Sequence, residues 1–244
     1  MNAIHHIPSF KPLYEQIKAL LTQSLVAGEW RPGEMIPSEI ELANRFKVSQ
    51  GTVRKAIDSL ASENILIRRQ GKGTYVATHE AELIKRRFLR LTAVNGKKEL
   101  LENELISFEK AKADLKIAKL LDIKVGASII DIKRLLTFSA RPLIYDHIIL
   151  PAVAFKGLTG AKVIEKNGSM YSMYETQFGI RMIRAEERLK AIAADKVVAD
   201  ALGIKLNYPL LSIERVSFTY GDKPMVWRLG ICLTDDHHYL SELE

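Results

Sequence analysis

Pro37-Ser38-Glu39-Ile40-Glu41-Leu42-Ala43-Asn44-Arg45-Phe46-Lys47-Val48-Ser49-Gln50-Gly51-Thr52-Val53-Arg54-Lys55-Ala56-Ile57-Asp58-Ser59-Leu60 reads as two short helices joined by a tight turn. Ser38 and Glu41 stand at the spacing of a capping box, in which a hydroxyl and a carboxylate satisfy the orphan N–H groups of a helix start. The helix they open buries Leu42, Ala43 and Phe46. Val48-Ser49 makes the turn, and Ser49 caps a second helix whose apolar residues Val53, Ala56, Ile57 and Leu60 recur at i, i+3, i+4 and i+7. The opposite face of that helix opens with Gln50, Gly51, Arg54 and Lys55. Such a pair presents the N-terminal side chains of its second helix to base edges in a DNA major groove.

The flanks complete the plan. Upstream, Leu13, Ile17, Leu20, Leu21 and Leu25 form one apolar helical stripe, Gly28 suits its C-terminal cap, and Arg31-Pro32-Gly33 turns the chain. Downstream, Ile65–Arg69 and Thr74–Val76 read as two short strands joined by Gln70-Gly71-Lys72-Gly73. Glycine lets backbone come close to phosphate and Lys72 supplies charge, so this tip suits a wing over the minor groove. It is no nucleotide-binding phosphate loop, because the spaced first glycine and the strand-to-helix context are missing. Residues 1–78 are therefore expected to be a winged helix-turn-helix that binds double-stranded DNA. The expected contacts are Ser38, Ser49, Gln50, Gly51, Thr52, Arg54, Lys55, Gln70, Gly71, Lys72 and Gly73.

Residues 79–94, with the charged run Lys85-Arg86-Arg87 and the Asn95-Gly96 that follows, read as a solvated linker. Residues 95–244 read as an α+β domain on a mainly antiparallel sheet, and they contain a duplication. Leu121, Ile123, Lys124, Ile132 and Arg134 recur 81 positions later as Leu202, Ile204, Lys205, Ile213 and Arg215. Pro142 corresponds to Pro224 after a turn one residue longer. Each copy is a helix led by Asp114 or Asp195, a strand, a turn and a return strand, with a further helix over Ser169–Phe178 and a strand near 181–193 between them.

Period-two alternation places Arg134, Asp146 and Glu187 each in an otherwise apolar row. A buried charge without a partner is costly. One reading pairs them with each other: a three-residue turn at Ser139–Arg141 sets Arg134 opposite Asp146. The other has a polar ligand complete the network. Tyr145 and Trp227 hold equivalent places and read as packing residues.

Composition bounds the rest. The chain of 244 residues suits two modest domains, and its 47% apolar residues suffice for buried cores. No apolar run approaches the ~18–20 residues of a membrane span, and no secretory signal is evident, which points to a bacterial-type cytoplasmic protein without a membrane partner. A single cysteine, Cys232, excludes an internal disulfide framework and a cysteine-based zinc finger, and it reads as a buried structural thiol. The net charge of +7 divides as +3 in residues 1–78 and +4 in the remainder, so bulk charge does not locate a nucleic-acid site. Asp235-Asp236-His237-His238 and His5-His6 offer adjacent groups that point in different directions, and no metal site or cofactor is expected. No nucleophile elbow is present.

The run Pro37-Ser38-Glu39, Glu41-Leu42-Ala43, Val48-Ser49, Thr52-Val53-Arg54, Ala56, Leu60, Gly71, Gly73-Thr74 resembles the signature of the GntR family of bacterial transcription regulators. Residues 95–244 resemble the UTRA domain of its HutC branch through Arg134, Pro142 with Tyr145-Asp146, Leu150-Pro151, Gly168-Ser169-Met170-Tyr171, Ala185 with Glu187, Pro209-Leu210, Arg215 and Pro224. The resemblance implies a winged helix-turn-helix that binds operator DNA as a homodimer, joined to a chorismate-lyase-like domain that takes a small-molecule effector. It places Arg134, Asp146, Ser169 and Tyr171 at the effector pocket, to which Glu187 is added from its own row.

Four positions depart from the family pattern. Ile40 and Gln50 stand where guanine-reading arginines are usual, so the half-site is expected to be less rich in guanine. Leu136 stands where a second pocket arginine is usual, and Val226 where an acidic residue is, which favours a less polar or carboxylate-bearing effector over a phosphosugar. The expected function is a ligand-responsive transcription regulator, a repressor released by its effector, and not an enzyme. Two alternatives remain open at this point: a lyase-like enzyme with an accessory DNA-binding head, and a DNA binder without a ligand.

Overall fold

In the computed structural model, which describes residues 11–78, 90–96, 101–165 and 170–241, the chain separates into two units, Met1–Thr78 and His79–Glu244. The first unit holds helices α1 (Leu13–Val26), α2 (Glu39–Phe46) and α3 (Gln50–Ser62), then strands β1 (Leu66–Arg69) and β2 (Gly73–Val76). Val53, Ala56, Ile57 and Leu60 are fully buried on the inner face of α3. Burying the Val, Ile and Leu side chains is worth about 1.5–3 kcal/mol each. The α1 stripe is narrower than its spacing predicts. Ile17, Leu21 and Leu25 are buried, but Leu13 and Leu20 are 50% and 42% exposed, because α1 packs chiefly against α3 and only one side is covered. Gly28 follows the Ala27 cap in the left-handed region at φ +74°.

Both helix starts follow the expected chemistry. Ser38 Oγ accepts from the Glu41 N–H (3.3 Å), and Glu41 Oε2 accepts from the Ser38 N–H (2.8 Å). Ser49 Oγ accepts from the Thr52 N–H at 3.2 Å. β1 and β2 pair antiparallel from Leu66↔Val76 to Arg69↔Gly73. Gly71 and Gly73 at the tip have φ of +69° and +104°, which side chains rarely adopt.

The second unit is built on a six-stranded antiparallel sheet. Its strands are β4 (Leu101–Lys112), β5 (Ser128–Phe138), β6 (Arg141–Pro151), β7 (Arg184–Ala193), β8 (Pro209–Thr219) and β9 (Lys223–Cys232), in the order β4-β5-β6-β9-β8-β7. The duplication is visible: α4 (Leu115–Leu120, capped by Asp114) with β5–β6 matches α7 (Lys196–Leu202, capped by Asp195) with β8–β9. The two copies embrace, for α4 packs on β9 and α7 on β6. Between them run α5 (Gly160–Glu165) and α6 (Met170–Phe178).

Three expectations need correction. The first hairpin turns through two residues, Ser139 and Ala140, both at positive φ, and a bulge at Leu136/Thr137 restores the register that sets Arg134 opposite Asp146. β7 is an edge strand whose row is exposed beyond Glu187, with Leu189 45% exposed. Within the segment read as linker, Leu91–Ala93 (β3) pairs with His237–Tyr239 (β10) as a two-stranded ribbon.

Candidate functional site

α3 offers the first unit's polar face. Gln50, Gly51, Arg54 and Lys55 are exposed at its start, and the wing tip Gln70–Gly73 is exposed as well. A Cβ at Gly51 would meet nothing nearer than Ser49 Oγ at 3.9 Å, so the protein's own packing does not require this glycine. The opening suits close approach by another backbone. Lys55 lies over the Tyr14 ring, with its ammonium 4.2 Å from the centroid, and Lys72 makes no ion pair among the described residues. Ser38 and Ser49 spend their hydroxyls largely on capping; Thr52 is half-buried, its hydroxyl 2.8 Å from Ser49 Oγ.

Glu39, which sequence reasoning passed over, organises this face. Its Oε2 accepts from Gln50 Nε2 (3.1 Å), Arg54 Nε (3.0 Å) and Arg54 Nη2 (2.9 Å), while Oε1 accepts from Arg68 Nη2 (2.9 Å) on the wing strand. The hydrogen bond from Arg54 is the largest influence holding its carboxyl below the usual range. Ile40, beside it in α2, is 60% exposed.

The second unit carries a belt of buried charge across its sheet. Residues directly opposite in an antiparallel pair share a face. Arg134 (β5) faces Asp146 (β6), Asp146 faces Gly230 (β9), Arg228 two residues along β9 faces Arg215 (β8), and Arg215 faces Glu187 (β7). Asp146, fully buried, accepts from Arg134 Nε and Nη2 (both 2.8 Å) and from Arg228 Nε (2.5 Å). Burial pushes its carboxyl up, but Arg228 and Arg134 together outweigh that and hold it below the usual carboxylate range. Arg215 Nε donates to Glu187 Oε1 at 2.6 Å, and Tyr239 on the ribbon donates to Glu187 Oε2.

α6 closes the belt from above. Tyr171 lies 2.9 Å from Ser217 Oγ and accepts from Arg215 Nη1 at 3.4 Å. Tyr174 is buried beside it, its hydroxyl pushed by burial to a higher pKa, so it is a fixed O–H donor. Two donors in this neighbourhood, Arg134 Nη1 and Tyr174 O–H, are buried with no partner among the described residues. The apolar wall around them includes Ile132, Ile148, Met173, Met225 and Val226. A cavity of about 450 Å³ lies elsewhere, beside Phe138, Ser139 and Leu143; its charged lining residues Arg141 and Asp236 neutralise each other.

Of the residues expected at the effector pocket, Arg134 and Asp146 are brought together as one ion pair, and Glu187 with Tyr171 gather round Arg215 instead. Ser169 lies outside the described residues. Arg228, Ser217, Tyr174 and Tyr239 were missed. Arg228 alone had a signal: it occupies in the second copy the place of Asp146 in the first. The acidic pair Asp235-Asp236 is engaged by Arg141, and burial pushes the Cys232 thiol up to about 12.

Comparison with known proteins agrees with both halves. The family model for bacterial regulatory proteins of the gntR family matches residues 13–76, and that for the UTRA domain matches residues 97–238. The chain is 30% identical over 234 residues to the "Uncharacterized HTH-type transcriptional regulator YurK" of Bacillus subtilis (strain 168), covering 93% of each chain. It is 27% identical over 220 residues to the "Probable fructoselysine utilization operon transcriptional repressor" of Escherichia coli (strain K12), covering 89% of this chain and 88% of that one. Among solved structures, the ligand-binding domain of a GntR-family regulator from Bordetella bronchiseptica matches with a TM-score of 0.63 and 35% identity, over 65% of this chain and 98% of that one.

Proposed function

We propose, from the premise that the chain belongs to the gntR family of bacterial regulatory proteins and carries a UTRA domain, that it is a HutC-branch repressor whose effector is an organic anion. The relative named as a repressor supports the sign of regulation. In this reading a homodimer sets α3 of each protomer in successive major grooves, about 34 Å apart, with the wing tips over the minor groove. Arg54, Gln50 and Lys55 address bases and nearby phosphates, and Lys72 and the Gly71 and Gly73 backbone address phosphate. Arg54 suits guanine and Gln50 suits adenine.

The single observation that carries the effector half is the pair of buried donors, Arg134 Nη1 and Tyr174 O–H, that have no partner among the described residues. A buried donor without an acceptor costs about 1–3 kcal/mol. Among the described residues, three buried guanidiniums, of Arg134, Arg228 and Arg215, meet two carboxylates, those of Asp146 and Glu187. A carboxylate in this place completes the hydrogen bonds and balances the excess charge, while the apolar wall takes the body of the molecule. Arg228 supplies the second guanidinium that Leu136 takes away, so the departure at Leu136 does not leave the pocket without a paired anion site. The effector releases the operator by binding the free and DNA-bound dimer geometries with different affinity; a coupling of about 1–3 kcal/mol weakens DNA binding 5- to 150-fold.

The test has two steps. Selection from a random duplex library with the full chain yields an operator. A thermal-shift screen of carboxylate metabolites then yields ligands that are retested for release of that operator. Failure to select any sequence overturns the DNA half. Ligands that bind and are turned over favour the enzyme reading instead.

A further inference from the structure

Base-reading side chains need two things at once: a pair of hydrogen-bonding groups aimed at the base, and little freedom to aim elsewhere. Arg54 is exposed and sits on the outer face of α3, so packing does not fix it; its side chain is 58% exposed. Glu39 does fix it, by taking Nε–H and one Nη2 hydrogen on a single oxygen. A guanidinium has five N–H groups. With its side edge on Glu39, Arg54 keeps its end-on edge, Nη1 and the second Nη2 hydrogen, which is a complete fork for guanine O6 and N7. The same oxygen takes one hydrogen of Gln50 Nε2, which leaves Gln50 its second N–H and its carbonyl, the donor–acceptor pair that adenine requires. The other Glu39 oxygen holds Arg68 of the wing strand, which Asp58 also binds through Oδ1 at 2.8 Å.

We propose that Glu39 is a positioning residue for operator recognition: it touches no base, but it orients Arg54 and Gln50 edge-on to the groove and ties them to the wing through Arg68. The proposal rests on the reading of α3 as the DNA-contacting helix. A carboxylate on a DNA-facing surface repels phosphate, so it weakens binding to every sequence alike. Its return is discrimination. Without it, Arg54 swings to phosphate while Asp58 still holds Arg68, which raises affinity for any duplex and lowers preference for the correct one.

The test uses the full chain and compares E39Q, D58N and R54A by selection from random duplexes and by affinity for matched pairs that differ at the Arg54 base. The ratio of two affinities does not depend on the folded fraction, so a modest loss of stability leaves the readout intact. D58N removes the same charge beside Arg68 without touching Arg54 or Gln50. The expected result is that E39Q lowers preference at the Arg54 base about tenfold, within the 5- to 150-fold range of a bidentate contact. Its salt dependence should steepen by about one phosphate contact, while D58N keeps the wild-type preference. If R54A loses the preference and E39Q keeps it, Glu39 is a plain surface ion pair and the proposal falls alone. Equal losses in E39Q and D58N reduce the effect to bulk charge and also overturn it. If R54A keeps the wild-type preference and affinity, α3 does not read bases and the DNA interface falls with it.

Discussion

Asp146→Asn tests the buried belt most directly. The carboxylate lies out of water and accepts from two guanidiniums, so its neutral isostere keeps the volume and removes the charge. Asn offers one acceptor oxygen and an NH2 group, and the NH2 must face one of the two arginines donor to donor. Leaving a buried charge uncompensated costs about 3–5 kcal/mol. A unit of this size loses about 2–4 °C of Tm per kcal/mol, so the transition of the second unit should fall by about 6–20 °C. The sign with pH follows from the direction of the shift. The folded carboxyl is held below its unfolded value, so its contribution is fully present above the unfolded pKa of about 4 and is lost as pH falls through the folded one. Wild type and D146N should therefore differ at pH 7 and converge progressively below pH of about 4. Differential scanning calorimetry across that range measures both. A Tm within about 2 °C of wild type at neutral pH would show that the arginines do not depend on Asp146, and the account of Asp146 as their counter-ion would be wrong.

Three further outcomes follow from single side chains. Tyr174→Phe deletes a buried hydroxyl without a partner among the described residues, so the ligand-free second unit should gain about 1 kcal/mol in thermal unfolding while effector affinity falls; a destabilised variant would mean the hydroxyl is already satisfied. Lys72→Ala should weaken binding to all duplexes alike and make the slope of log K against log salt shallower by about 0.9, whereas a loss confined to the operator would mark a base contact. Ser49→Ala removes the acceptor of the Thr52 N–H and should cost about 1 kcal/mol in the unfolding of the first unit, read by urea titration.

The boundary between what the sequence discloses and what it hides follows the distance along the chain over which each interaction is specified. The capping box at Ser38, the Ser49 cap and the apolar face of α3 are written within a few residues, and all appear in the structure. The Arg134–Asp146 pair is also legible, because one hairpin sets it; even the misread turn did no harm, since the bulge at Leu136/Thr137 compensates for the shorter loop. Glu39 was hidden because its partners come from α3 and β1, and periodicity carries no information about which side chains converge. Arg228 was hidden by strand order, for its meeting with Asp146 requires β6 to lie beside β9.

The duplication nonetheless explains why the charges fall as they do. A faithful second copy would put Asp at 228, giving Arg215 its own cross-strand carboxylate as Asp146 serves Arg134, and leaving two neutral pairs side by side at the β6–β9 seam. Arginine at 228 breaks that symmetry. It turns to Asp146, and Arg215 is left to find Glu187 on the edge strand, where the equivalent edge strand β4 offers only Leu105 opposite Arg134. Among the described residues, three guanidiniums then meet two carboxylates beside an apolar wall, and the imbalance arises where the two copies meet, because there a change in one repeat alters the pairing of both. A carboxylate effector would stand in for the acidic group that the second copy lacks. Removing the surplus guanidinium by Arg228→Met should therefore leave two guanidiniums against two carboxylates, and abolish the response to organic anions while operator binding persists. Calorimetric titration of the variant with an anion that binds wild type decides the matter, and undiminished binding would place the effector somewhere other than on this belt.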